Sequence, residues 1–321
     1  MQRREFSRFL LGGSLALCGP WPARAEDYSE PENVYRAVRA GPRTTLEFPG
    51  GQINVVFAGD IDDSGRERVI AWIRRSAAAL IAYYGRFPVR EAGLLVVPSE
   101  GNRIGHGTSW GYAGSIIRVD FGQAISAEAL ANDWVLIHEM VHLSFPVVPR
   151  RHLWIMEGSA TYVEPVARAR ATQRSAQSVW DEFFHDMQKG LPQDGDEGLD
   201  RTHTWGRTYW GGAIFCLLAD VRTRQATGNR LGFEDAMRAV NHASGGNSAE
   251  WSIAQVIEAG DRATGTKVLA QLYQSMAEGP EHPDLGALWR DLGVVADGDG
   301  VRLDDGAAWA AARRAITASA A

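Results

Sequence analysis

The pattern of apolar and polar positions changes character near residue 125. Before that point, Thr44 to Phe57 reads as two short β segments around the turn signal Pro49-Gly50-Gly51. Val69, Ile70, Trp72 and Ile73, followed by Leu80, Ile81 and Tyr84, recur at helical spacing and predict one long amphipathic helix from about Arg66 to Tyr84. Ala92 to Val97 is an apolar run bounded by turn residues, and Ser115 to Phe121 carries Ile116, Ile117, Val119 and Phe121 as a further β region. From Ser126 onward the pattern is helical. Segments are predicted near 126–145, 151–169, 173–188, 205–225, 231–241, 249–260 and 265–276, with a tail helix near 306–317. Acidic and turn-forming residues fill 192–200 and 294–305, which are expected as surface loops. The expected fold class is α+β, with a mixed α/β lobe over 26–125 and a mainly helical lobe over 126–321 that together make one domain.

The first 25 residues read as an export signal. They hold the Arg3-Arg4 pair, a short apolar run from Phe9 to Leu17, and the ending Ala23-Arg24-Ala25. Arg3-Arg4-Glu5-Phe6 resembles the start of a twin-arginine signal, so the expected location is periplasmic or secreted, with an uncleaved N-terminal anchor as the alternative. No later stretch approaches the roughly 20 apolar residues of a transmembrane helix. Residues 1–25 contain four Arg and one Glu, so without them the balance is 29 basic against 38 acidic residues, a net charge of −9. That acidity, with no dense Lys/Arg run, argues against nucleic acid as a partner. Cys18 falls in the expected signal and Cys216 stands alone in an apolar helix, which predicts a buried thiol and no disulfide.

The candidate chemistry lies in Trp134-Val-Leu-Ile-His138-Glu139-Met-Val-His142. Histidines at i and i+4 share one helical face and can reach one zinc ion, while Glu139 on the neighbouring side can hold and deprotonate a water. A third ligand is expected from Trp154-Ile-Met-Glu157-Gly158-Ser-Ala160-Thr-Tyr162-Val-Glu164, whose own helical period lets a second helix return beside the first. Glu157 and Glu164, seven residues apart, fall almost on the same stripe, and on spacing alone either could supply the carboxylate.

These two segments resemble the gluzincin metallopeptidases, which include aminopeptidase N-like and glycyl aminopeptidase-like enzymes. The family pairs H-E-x-x-H with a Glu-Gly-x-Ala-x-Tyr helix, which Glu157, Gly158, Ala160 and Tyr162 match. The resemblance implies a zincin-like fold, a Zn²⁺ cofactor, His138, His142 and Glu157 as ligands, and Glu139 as general base. Glu164 is then expected to accept a proton from a ligating imidazole. Fourteen residues separate His142 from Glu157, a shorter linker than these enzymes usually have. Tyr209-Trp-Gly-Gly212-Ala213, with Leu217, Asp220, Arg222 and Thr227-Gly228, is similar to a further helix of the same family. It implies Tyr209 as hydrogen-bond donor to an oxyanion, with His203 the other candidate donor. The family's glutamate-bearing segment ahead of the zinc helix has no counterpart. Gly105-His106-Gly107-Thr-Ser-Trp110-Gly111 stands there instead, either as a substrate-binding edge strand or as a flexible connection.

The function expected is hydrolysis of peptide bonds in a peptide or protein substrate. The alternatives are a zinc hydrolase of a non-peptide amide or ester in the cell envelope, and a non-catalytic scaffold used for binding. Trp110, Trp134, Trp154, Trp205 and Trp210 flank the proposed site, and most are expected as core anchors.

Overall fold

The structure, a computed structural model, describes residues 27–319; the expected export signal and Cys18 lie outside the described residues. Five strands form one mixed sheet: β1 (Arg43–Phe48), β2 (Gly51–Phe57), β3 (Glu91–Ser99), β4 (Ile104–Trp110) and β5 (Ser115–Gly122), in the order β1-β2-β3-β5-β4. β1 and β2 form the hairpin about Pro49 and Gly50, β2, β3 and β5 run parallel, and β4 returns antiparallel to β5 at the edge. Alternation along the strands separates two faces. Val55, Leu94 and Ile117 enter the main core, whereas Val56, Leu95 and Ile116 pack with Val34 and Tyr35 of α1 (Pro31–Ala40) on the opposite face.

The main core continues from the sheet through α2 (Asp63–Tyr84), the crossover from β2 to β3, into the helices that follow. α2 is capped by Asp62, whose Oδ1 accepts from Gly65 N at 2.6 Å, and ends at Gly85 in the left-handed region. The helical part comprises α3 (Ala127–Ala131), α4 (Val135–Leu143), α5 (Leu153–Arg170), α6 (Ala176–Asp186), α7 (Gly212–Ala226), α8 (Phe233–Ser244), α9 (Ile253–Thr264), α10 (Val268–Leu272), α11 (Leu285–Leu292) and α12 (Ala310–Thr317). Among the described residues no helix is long and apolar enough to cross a membrane.

Several expectations are corrected. The single helix expected over 126–145 is two, because Ser126 caps α3 through Ala129 N and Asp133 accepts from Leu136 N to start α4 afresh. Residues 294–305 are not a plain loop. β6 (Val294–Asp297) and β7 (Gly300–Leu303) form a hairpin there, and burial of Val294 and Val301 drives the pairing. Nor is 192–200 a free surface loop, since Leu199 is fully buried and Asp196 is held in an ion pair. α1 and α11, of ten and eight residues, were not expected from the pattern; both are short and amphipathic.

Candidate metal centre

α4 and α5 are brought together by the turn after Leu143, where Pro146 and Pro149 end one helix and set up the short 3₁₀ turn Arg150–His152 ahead of the next. His152 Nδ1 and Trp154 Nε1 both meet Asp200 Oδ1, at 2.8 and 2.7 Å, and Tyr273 donates to Asp200 Oδ2 at 2.6 Å. Asp200 thus fixes the N-terminal end of α5. On the far side, α5 crosses the start of α7 at Gly158 and Gly212. A Cβ on Gly158 would fall 2.3 Å from Gly212 backbone atoms, and one on Gly212 would fall 2.1 Å from the Trp154 carbonyl oxygen. Only glycine permits this backbone contact, so both positions are explained by packing.

In this arrangement His138, His142 and Glu157 converge, with one ligand atom from each lying within 4.8 Å of the others. Glu157 Oε2 is 3.2 Å from His138 Nε2 and 3.5 Å from His142 Nε2, and both histidines are buried. Burial raises the Glu157 carboxyl, but the two imidazoles outweigh it and hold the group well below the usual carboxylate range. Burial likewise lowers His142, and Glu157 and Glu139 reverse that and push it up. The pocket therefore demands positive charge. Two nitrogens and a carboxylate oxygen are the donor set that zinc takes, with a second carboxylate, Glu139, beside it. The residues fit the ion.

Glu139 stands next to β4: a Cβ on Gly107 would lie 2.8 Å from its Cγ and 3.2 Å from its Oε1. A bare glycine there keeps the strand edge against the carboxylate. β4 is thus an edge strand of the sheet, with a bulge between Ile104 and Gly107, and it walls a cleft of about 900 Å³ that holds all four residues and Tyr209. Tyr209 lies in a π-helical turn, Arg207–Gly211, leading into α7, and its ring lies 6.3 Å from that of His138 at 21°. Burial, then the Glu157 and Glu139 carboxylates, push its phenol up to about 12, so it stays protonated.

Glu164 is not where it was expected to act. It accepts from Arg168 Nη1 at 3.0 Å and makes no hydrogen bond to either imidazole, because α5 turns it toward α6. Two residues that matter were missed in the sequence. Asp196 forms a buried ion pair of 2.8 Å with Arg207, which also donates to the Gly190 carbonyl, and these contacts hold the turn bearing Tyr209. Arg224, and not Arg222, pairs with Asp220, because i and i+4 share a helical face whereas Arg222 points outward. His203 lines neither cavity at the site. Of the tryptophans, Trp154 and Trp210 are core residues, but Trp134 and Trp205 are 54% and 61% exposed at the rim.

No protein family's sequence profile matches this chain, and no curated protein matches it. Solved structures do. An aminopeptidase N family protein from Idiomarina loihiensis superposes with a TM-score of 0.61 at 15% identity, over 79% of this chain and 49% of that one. The fold is aminopeptidase N-like. An M1 zinc metallopeptidase from Deinococcus radiodurans also matches at 15% identity, over 76% of this chain and 53% of that one, with a TM-score of 0.49 that is too low to bear on the fold. The chain spans about half the length of these structures. The aminopeptidase N-like fold agrees with the gluzincin resemblance and with the α+β class expected from the sequence.

Proposed function

We propose that this chain is a zinc-dependent metallopeptidase that hydrolyses peptide bonds, with His138, His142 and Glu157 holding the ion and Glu139 as general base. The observation that carries the reading is the convergence of three ligand atoms within 4.8 Å on two adjoining helices, with Glu139 beside them at the cleft wall. Bound there, zinc supplies Lewis acidity that lowers the pKa of a water toward about 7 and polarises a carbonyl.

The chain's own groups do the rest. Glu139 would take a proton from the water as its oxygen bonds to the carbonyl carbon, and would return that proton to the amine nitrogen as the C–N bond breaks. Tyr209, protonated at neutral pH and lining the same cleft beside His138, donates a hydrogen bond to the oxyanion. Trp134, packed edge-on to His138 at 5.6 Å, and Trp205, stacked on Tyr209 at 5.8 Å, hold those rings in place and border the substrate. Export through a twin-arginine signal belongs to the same reading, with periplasmic or secreted peptides as substrates. The test is the purified protein's zinc content and peptide hydrolysis, compared with Glu139→Gln. The variant should keep stoichiometric zinc and lose turnover, and hydrolysis undiminished in Glu139→Gln would overturn the assignment.

A further inference from the structure

The metal position does not close the end of the cleft. His138, Trp134 and Tyr209 line the cavity along β4 and also a second cavity of about 900 Å³ that extends between α5 and α6. A bound chain therefore has room on both sides of the scissile bond. What the two cavities offer a charged terminus is decided by their carboxylates, because an ammonium group taken from water needs an anionic partner.

Among the described residues, every carboxylate lining the two cavities apart from Glu139 and Glu157 already has a hydrogen-bond or ion-pair partner. On the β4 side Asp133 accepts through Oδ2 from Trp72 Nε1 at 3.1 Å and from Leu136 N at 3.3 Å, which ties it to the start of α4. In the second cavity Glu164 pairs with Arg168 at 3.0 Å, Glu182 with Arg174 at 2.5 Å and Asp186 with Lys189 at 2.6 Å. The lining supplied by β4 and the residue before it is uncharged except for Arg103 and His106, both exposed, and neither attracts an ammonium. Among the described residues, the carboxylates left without such a partner are the general base and the metal-binding carboxylate, and a substrate amine would disable either.

We infer that the cleft takes an internal segment of a polypeptide and not a free amino terminus, so that the enzyme is an endopeptidase. This rests on the zinc peptidase reading above. The segment lies along β4, crosses the metal position, and continues past Trp134 and Tyr209 into the second cavity, which Trp205 also lines.

The test uses the full zinc-loaded chain and short internally quenched peptides of mixed sequence, amidated at the C-terminus and either free or acetylated at the N-terminus, together with single aminoacyl reporters. Acetylation should change kcat/KM by no more than about threefold, mass spectrometry should show cuts away from both termini, and the aminoacyl reporters should be turned over at least about 100-fold less well. A loss of about 100-fold or more on acetylation, or efficient turnover of the aminoacyl reporters, overturns the inference and leaves the peptidase reading standing. Stoichiometric zinc with no cleavage of either set overturns both. Binding gives an independent readout. In Glu139→Gln the free and acetylated forms of one peptide should bind with Kd values within about threefold, and tighter binding of the free amine by about tenfold or more reveals an anionic anchor and sinks the inference.

Discussion

α5 presents buried charge on two sides, and the two are resolved differently. Toward α7 and α8, Tyr162 donates to Asp220 at 2.8 Å, Arg224 bonds Asp220 at 2.7 Å and Glu234 at 2.6 Å, and Arg170 reaches Glu234 at 3.0 Å. Two guanidinium groups face two carboxylates, so the cluster is neutral and complete within the chain. Toward α4, Glu157 and Glu139 face imidazoles that carry no obligatory charge. That side lacks positive charge amounting to about two units, which a divalent cation supplies. The first arrangement locks helices together, whereas the second leaves its charge balance to a ligand, which makes it the candidate site.

The contrast can be broken most strongly at Glu139, where replacement by Gln should lower kcat by about 10²–10⁴-fold with zinc retained, as read by turnover and metal analysis. On the complete side, Asp220→Ala leaves Arg224 and Arg170 facing Glu234 alone, one carboxylate for two buried guanidinium groups, and removes the Tyr162 partner. It should cost about 3–5 kcal/mol in denaturant unfolding, with zinc affinity of the folded fraction little changed. Tyr209→Phe should reduce kcat by about 10²–10³-fold, or about 2.7–4 kcal/mol, and leave the pH of unfolding and the zinc content alone. Zinc at 100 times its Kd should stabilise the native chain by about 2.7 kcal/mol, while the thermal unfolding curves of Glu157→Ala with zinc and with chelator should superimpose.

The smallest effect sharpens the comparison at Glu164. Burial lifts its carboxyl from the ordinary range to about 7, outweighing Arg168. The native state therefore favours the protonated form: the stabilisation is fully present below the unfolded carboxyl pKa and is lost as pH rises to about 7. Glu164→Gln should flatten that part of the stability profile between about pH 5 and 7, as followed by urea midpoints. An unchanged slope would show that Arg168 governs the group instead.

How far the site was legible depends on whether its contacts are local. His138, Glu139 and His142 are adjacent on one helix, so the i, i+4 period names them without any tertiary information. Glu157 and Glu164 share a stripe of α5, and the sequence left the choice to family resemblance; packing against α4 selects Glu157 as the convergent carboxylate and sends Glu164 to Arg168. Asp196 could not have been assigned from pattern, because its partner Arg207 is eleven residues away across a loop and no periodicity links them. β1, β2, β3, β5 and α2 followed the apolar runs, whereas α1, α11 and the glycine-rich β4 did not. The break at Asn132 and Asp133 and the hairpin at Val294 to Leu303 did not, because capping and a short tertiary contact decide them.

The sequence by itself determined the parts whose physics is local: the helical face bearing two imidazoles with a carboxylate beside them, and the acidic balance. Tertiary structure alone decided which carboxylate joins the imidazoles, that Gly158 and Gly212 let α5 touch α7, that Gly107 of an edge strand borders Glu139, and that two cavities share the lining residues Trp134, His138 and Tyr209. The reason is that charge compensation and cavity shape depend on which segments meet in space, and residues far apart in the chain carry no periodic record of that meeting.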